Sequence, residues 1–114
     1  MIKERIAQLR RFLTDQAADG AVIMQPENLR YFSGFTGGEG ALVLMTEGRP
    51  VLWTDSRYTE QAAQQSGIWC DIKNHEGRLL ECIGCFIKES GLHVIGYEKN
   101  YLTLASYEGI TAHW

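Results

Sequence analysis

Long apolar runs are missing from this sequence, and nowhere does it approach the 18 or more consecutive apolar residues that read as a membrane-spanning helix. An excess of positive charge is missing too: Lys and Arg number 11 against 14 Asp and Glu, for a net charge of -3. The one basic pair, Arg10-Arg11, is too short to meet a run of phosphates, so nucleic acid is not an expected partner. Cysteine is scarce and odd in number (Cys70, Cys82 and Cys85), which argues against a disulfide framework and for free thiols in a reducing compartment, with the cytoplasm as the default. Met1-Ile2-Lys3-Glu4-Arg5 is charged and helix-like, unlike a secretory signal. The three histidines are scattered, and neither a His-Glu-x-x-His pattern nor a Ser-His-Asp order is present. What remains is an ordinary globular balance, 45% apolar and 22% charged over 114 residues, enough for one domain with a core of its own.

The apolar pattern divides the chain into alternating helices and strands. Ile2, Ile6, Leu9, Phe12, Leu13 and Ala17 recur at helical spacing and predict a helix over 2–18, with Asp19-Gly20 supplying a left-handed stop. Ala21 to Gln25 reads as a buried strand. Pro26 then opens a short helix that turns Leu29 and Phe32 inward and closes at Gly34. After a glycine-rich loop from Phe35 to Gly40, Ala41–Met45 and Pro50–Thr54 form a hairpin around Thr46-Glu47-Gly48-Arg49. Asp55 or Ser56 is expected to cap a helix running to about Gln65 and ended by Gly67. A strand at 68–72, a helix at 77–89 ended by Gly91, a strand at 93–97 and a helix capped by Thr103 complete the order. Strands alternating with helices imply an α/β sheet with helices on both faces, and the hairpin makes that sheet mixed. The ordered pattern running up to His113-Trp114 suggests a piece of a longer polypeptide, the alternative being a natural C-terminal helix.

Three groups of residues invite a chemical reading. The glycines at 34, 37, 38 and 40 suggest a phosphate cradle, but such a cradle must lead into a helix N-terminus, and this loop leads into an apolar strand. A tight turn needing positive φ is the plainer reading, and a loop kept small so that a ligand or partner can approach is the third. Cys82-Ile83-Gly84-Cys85 lies inside the predicted helix, away from the strand-to-helix junction that activates a redox pair. With Cys70 and His75 it matches no common zinc spacing, so structural thiols are expected. In Asp55-Ser56-Arg57-Tyr58 the plain reading is a cap, a solvated arginine and a packed tyrosine. The functional reading places Arg57 and Tyr58 at a strand's C-terminal end, where open α/β sheets gather their sites.

Asn28-Leu29-Arg30-Tyr31-Phe32-Ser33-Gly34-Phe35-Thr36-Gly37-Gly38-Glu39-Gly40-Ala41-Leu42-Val43 resembles the N-terminal domain shared by prolidases, aminopeptidase P and creatinase. Trp53-Thr54-Asp55-Ser56-Arg57-Tyr58-Thr59-Glu60-Gln61-Ala62 resembles it as well, and the likeness is greatest to bacterial Xaa-Pro peptidases. The resemblance implies a ribonuclease-H-like, three-layer α/β/α domain with a mixed sheet of five or six strands, filling 1–114 as a single unit. It implies a pita-bread catalytic domain outside this chain, holding two divalent metals (manganese, cobalt or zinc) through two Asp, one His and two Glu. No catalytic or metal residue is therefore assigned here, and the chain alone is expected to be inactive. The implied role is to support a homodimer, to pack on its own catalytic domain and to restrict access of proline-containing peptides. By position, Phe35, Thr36, Gly37, Gly38 and Glu39 are the candidates for that wall, with Asp55, Arg57 and Tyr58 beside them. The creatinase-type aromatic and basic pair is absent after Phe35, which argues against a creatine-like substrate. The alternative is a stand-alone interaction or small-ligand-binding domain on the same fold.

Overall fold

The computed structural model describes all residues, 1–114. The elements run α1 (Ile2–Asp15), β1 (Gly20–Ile23), α2 (Pro26–Ser33), β2 (Gly40–Met45), β3 (Val51–Thr54), α3 (Thr59–Ser66), β4 (Asp71–Asn74), α4 (Leu79–Glu89), β5 (Ile95–Tyr97) and α5 (Leu104–Thr111). The strands form one five-stranded sheet in the order β4-β3-β2-β1-β5. Strand β2 is antiparallel to both β1 and β3, while β5 runs parallel to β1 and β4 parallel to β3. The meander β1-β2-β3 with β5 beside β1 is the ribonuclease-H-like part, and β4 is added on the outer side of β3. Four strands thus end at one edge of the sheet, where β2 begins.

The period-2 alternation of a strand decides which residue meets which helix layer. Ala41 and Val43 of β2 and Val51 and Trp53 of β3 join Ile83 and Ile87 of α4 and Ile110 of α5 in one core. Leu42 and Leu52, their neighbours in sequence, join Leu29 of α2, Ala62 of α3, Phe35 and Cys70 in the other, with Leu9 of α1 packed against it. The architecture is the three-layer α/β/α one, with α1, α2 and α3 on one face and α4 and α5 on the other. Complete burial of Leu42, Leu52, Ile83 and Ile87 contributes about 1.5–3 kcal/mol per side chain. No helix is long and apolar enough to cross a membrane.

Several boundaries differ from the sequence expectation. Helix α1 stops at Asp15, and the left-handed residue is Ala17 (φ 56°), not Gly20, which already belongs to β1. The N–H of Ala18 donates to Leu13 O and that of Ala17 to Thr14 O, the two bonds of a Schellman cap. Helix α4 ends with the same pair of bonds, Leu92 to Ile87 and Gly91 to Lys88, but with a glycine at φ 68°. The α1 cap therefore carries a Cβ in a conformation that disfavours one. Ala17→Gly is expected to raise stability by about 0.5–1 kcal/mol, the gain being trimmed by added chain entropy in the unfolded state; urea denaturation checks it. The strand expected at 68–72 lies instead at Asp71–Asn74, because the Arg49 guanidinium reaches across and donates to the carbonyls of Gly67, Ile68 and Cys70, holding 67–70 as a turn. Pro26 at the first turn of α2, Gly34 at its left-handed end and the Thr103 cap, which accepts from Ser106 N–H, are as the sequence predicts.

Candidate functional site

Glycines 37, 38 and 40 do not adopt positive φ; only Gly34 in this stretch does. Their smallness serves packing. A Cβ on Gly38 would lie 2.5–2.8 Å from three atoms of the Tyr58 side chain, and one on Gly37 would strike the Phe35 ring. A Cβ on Gly40 would come within 2.7 Å of the Trp53 carbonyl oxygen. The loop is thus laid flat on two aromatic rings, Phe35 and Tyr58, which meet edge-on at 6.5 Å between centroids. Phe35 is buried in the core, and its N–H donates to Ser33 Oγ.

The next residue is tied to α3. Thr36 N–H donates to Gln65 Oε1 at 2.9 Å, and Gln65 Nε2 returns a bond to Thr36 Oγ1 at 2.8 Å. Gln61 Nε2 also reaches Thr36 Oγ1 at 3.3 Å. At the far end of the loop Thr54 Oγ1 donates to the Glu39 carbonyl at 3.3 Å, leaving the Glu39 side chain exposed. A tightly held loop with a small-residue crest results.

Asp55 does not cap α3 directly. The helix begins only at Thr59, and Asp55 instead organises the turn before it. Its Oδ1 accepts from Arg57 N–H at 2.9 Å, and its two oxygens accept from Arg57 Nε at 3.1 Å and Nη2 at 2.7 Å. Its carbonyl accepts from Thr59 Oγ1 and from Tyr58 N–H. A short polar side chain that bonds its own backbone two residues on favours this turn over an earlier helix start. The Arg57 guanidinium lies 5.1 Å from the Tyr58 ring centroid. Hydrogen bonding to Arg57 holds the Asp55 carboxyl below its ordinary value of 3.8, and Asp55 in turn raises Arg57, with smaller help from Tyr58 and Glu39. The turn is therefore strongest above the ordinary carboxylate range and loosens as the pH falls through the lowered value.

All eight sequence candidates thus meet at one place, the edge where β3 ends and β2 begins. On the other side of the loop lies an open cleft of about 640 Å³, walled by Gly37, Gly38, Glu39, Leu79, Tyr101 and Leu102. Two groups that the sequence reading passed over hold this edge together. One is the Gln61–Gln65 pair on α3. The other is Glu98, just past β5, whose carboxylate accepts from Met24 N–H at 2.6 Å, Gln25 N–H at 2.9 Å and Asn28 Nδ2 at 2.7 Å. It closes the start of α2, which has no side-chain cap of its own.

The remaining candidates are the thiols. Cys82 and Cys85 are half-buried in α4, and Cys82 Sγ lies 3.8 Å from the His75 carbonyl oxygen. Nowhere do three or more His, Cys, Asp or Glu side chains converge to hold a metal ion, so these residues do not fit a two-metal centre. Burial pushes the Cys70 thiol up to about 11. An unfolded thiol ionises first as the pH rises, so stability is expected to hold below about pH 9 and then to decline by about 1.4 kcal/mol per pH unit up to the folded value. Cys70→Ala should flatten that alkaline limb in pH-dependent denaturation, and Cys70 should resist thiol reagents in the native chain.

The fold and its edge define a three-layer α/β domain with a mixed five-stranded sheet and a pinned small-residue loop. The chain belongs to the creatinase/prolidase N-terminal domain family, whose model matches residues 5–114. It is 32% identical over 109 residues to the uncharacterized peptidase YqhT of Bacillus subtilis, covering 95% of this chain and 30% of that protein. A Xaa-Pro dipeptidase from Bacillus anthracis superposes with a TM-score of 0.90 at 29% identity, over 99% of this chain and 31% of that one. The N-terminal domain of the cytoplasmic peptidase PepQ from Mycobacterium tuberculosis also superposes with a TM-score of 0.90, at 28% identity over 96% of this chain and 84% of that one. The chain spans less than a third of the length of the first two relatives.

Proposed function

We propose that this chain is the non-catalytic N-terminal domain of a cytoplasmic, proline-specific metallopeptidase of the Xaa-Pro dipeptidase or aminopeptidase type. Its partner is a catalytic domain that holds two divalent metals (manganese, cobalt or zinc) and cleaves proline-containing peptides. In this reading the edge carrying Phe35–Glu39 and Asp55–Tyr58 faces that domain and narrows its entrance, and the whole assembles as a homodimer. The observation that carries the reading is the family match from residue 5 to 114 together with relatives of which this chain makes up about 30%. The pinned loop suits such a wall: Gly37 and Gly38 present backbone to a neighbour, while Tyr58 lies under it and Gln65 and Thr54 bond its two ends.

Reading the gene beyond the codon for Trp114 tests this. A reading frame that continues and encodes two Asp, one His and two Glu as metal ligands is expected. A stop codon at that point would favour the second reading, a stand-alone small-ligand-binding domain, for which the 640 Å³ cleft beside Glu39 is the specific support.

A further inference from the structure

The turn of the β2–β3 hairpin lies at the opposite end of the sheet from Phe35–Glu39. Beside it, α1 and the segment after α3 complete a groove of about 410 Å³. Lys3 and Arg10 come to this groove from α1 and Arg49 from the hairpin, while Ile6, Ile68 and Trp69 supply apolar surface. Lys3 and Arg10 are two helical turns apart and so share a face of α1. No carboxylate lines the groove, although the chain as a whole carries 14 Asp and Glu against 11 Lys and Arg.

The positive charge is fixed in place and only partly neutralised. Arg10 Nε donates to the Met45 carbonyl at 2.9 Å and Nη2 donates to that of Gly48. Neither Arg10 nor Lys3 has a carboxylate within ion-pairing reach. Arg49 pairs with Asp71 at 2.9 Å, and its other two nitrogens are taken by the carbonyls of Gly67, Ile68 and Cys70. Ile68 stands beside them 74% exposed, and Trp69 is half-buried.

These bonds choose between kinds of anion. A phosphate is gripped by a free guanidinium fork, and neither arginine has one to offer: every nitrogen of Arg49 is engaged, and Arg10 keeps only Nη1. The groove instead combines a held positive field with exposed apolar surface. We infer that it docks an acidic segment of a partner protein, with an aliphatic or aromatic residue seated on Ile68 and Trp69 and flanking Asp or Glu side chains facing Lys3 and Arg10. Arginine and tryptophan are the residue types that anchor protein interfaces, and opposite charge sets the register of the incoming chain. The groove is remote from the edge proposed to face a catalytic domain, so a failure here leaves that reading standing.

Fluorescence anisotropy of a labelled peptide, Glu-Asp-Glu-Leu-Phe-Asp-Glu-Asp, titrated with the 114-residue chain tests the inference. A Kd on the order of 10–100 μM at low salt is expected, weakening about tenfold as the ionic strength rises to about 0.5 M. Lys3→Glu and Ile68→Ser, both at exposed positions, should each weaken binding by about fivefold or more with the thermal midpoint close to the parent value. Lys88→Glu makes the same change in net charge on α4, across the sheet, and should shift the Kd by less than about twofold. The peptide with Lys in place of its acidic residues should not bind, and inorganic phosphate should compete no better than chloride at equal ionic strength. No binding of the acidic peptide below 1 mM, equal binding of the Lys peptide, or affinity unchanged in both groove variants would overturn the inference. Displacement specific to phosphate would overturn it too, in favour of a small-anion site.

Discussion

Glu98→Ala is expected to destabilise the domain by about 3 kcal/mol, a fall in Tm on the order of 12–15 °C for a domain of this size. The carboxylate is the one acceptor shared by Met24 N–H, Gln25 N–H and Asn28 Nδ2. Removing it strips the first turn of α2 of its acceptor and unties β5 from the β1–α2 junction in the same stroke. Bonds to a charged acceptor are worth more than neutral ones, so Glu98→Gln, which keeps the shape, should lose about half as much. Thermal and urea denaturation of both variants measure this. Equal loss in the two would mean that the charge contributes nothing, and no loss in either would mean that water replaces the carboxylate fully.

Gly84→Ala should also cost about 2–3 kcal/mol, although helix propensity alone predicts a gain of about 1. Gly84 sits inside α4 where α5 crosses it. An added Cβ would overlap the Ile110 carbonyl oxygen and lie 2.9 Å from His113 Cβ. The neighbour is backbone, which cannot rotate away, so the two helices must separate and open the core around Ile83, Ile87 and Ile110. The sign of the change separates the two effects in a single denaturation experiment.

The layered fold was legible in the sequence because its signals are local. Period-2 runs such as Ala41–Met45 and helical spacing in 79–87 need no tertiary information, and Pro26, Gly34 and Thr103 act within one turn of where they stand. The errors arose where a distant residue settles the backbone. Arg49 fixes the turn at 67–70 from 18 or more positions away and so delays β4. Asp55 spends its carboxylate on Arg57 and so delays α3 to Thr59.

The candidate residues stand out in the sequence, but the way they pack does not. Glycines in a row suggest backbone freedom, yet Gly37 and Gly38 are small because Phe35 and Tyr58 lie under them. Nothing local announces that a tyrosine 20 positions later fills that space. The Thr36–Gln65 bonds and the reach of Glu98 to α2 span 29 and 73 positions, and no spacing rule could have found them.

In the function proposed above, these residues shape and support a hydrolytic site without containing one. The purified chain, incubated with a Xaa-Pro dipeptide and manganese, cobalt or zinc, tests it most directly, with metal binding followed by calorimetry on the same sample. No cleavage and no stoichiometric tight binding of two metal ions is the expected result. Turnover that depends on added metal and stops on chelation, from this polypeptide alone, would contradict the account.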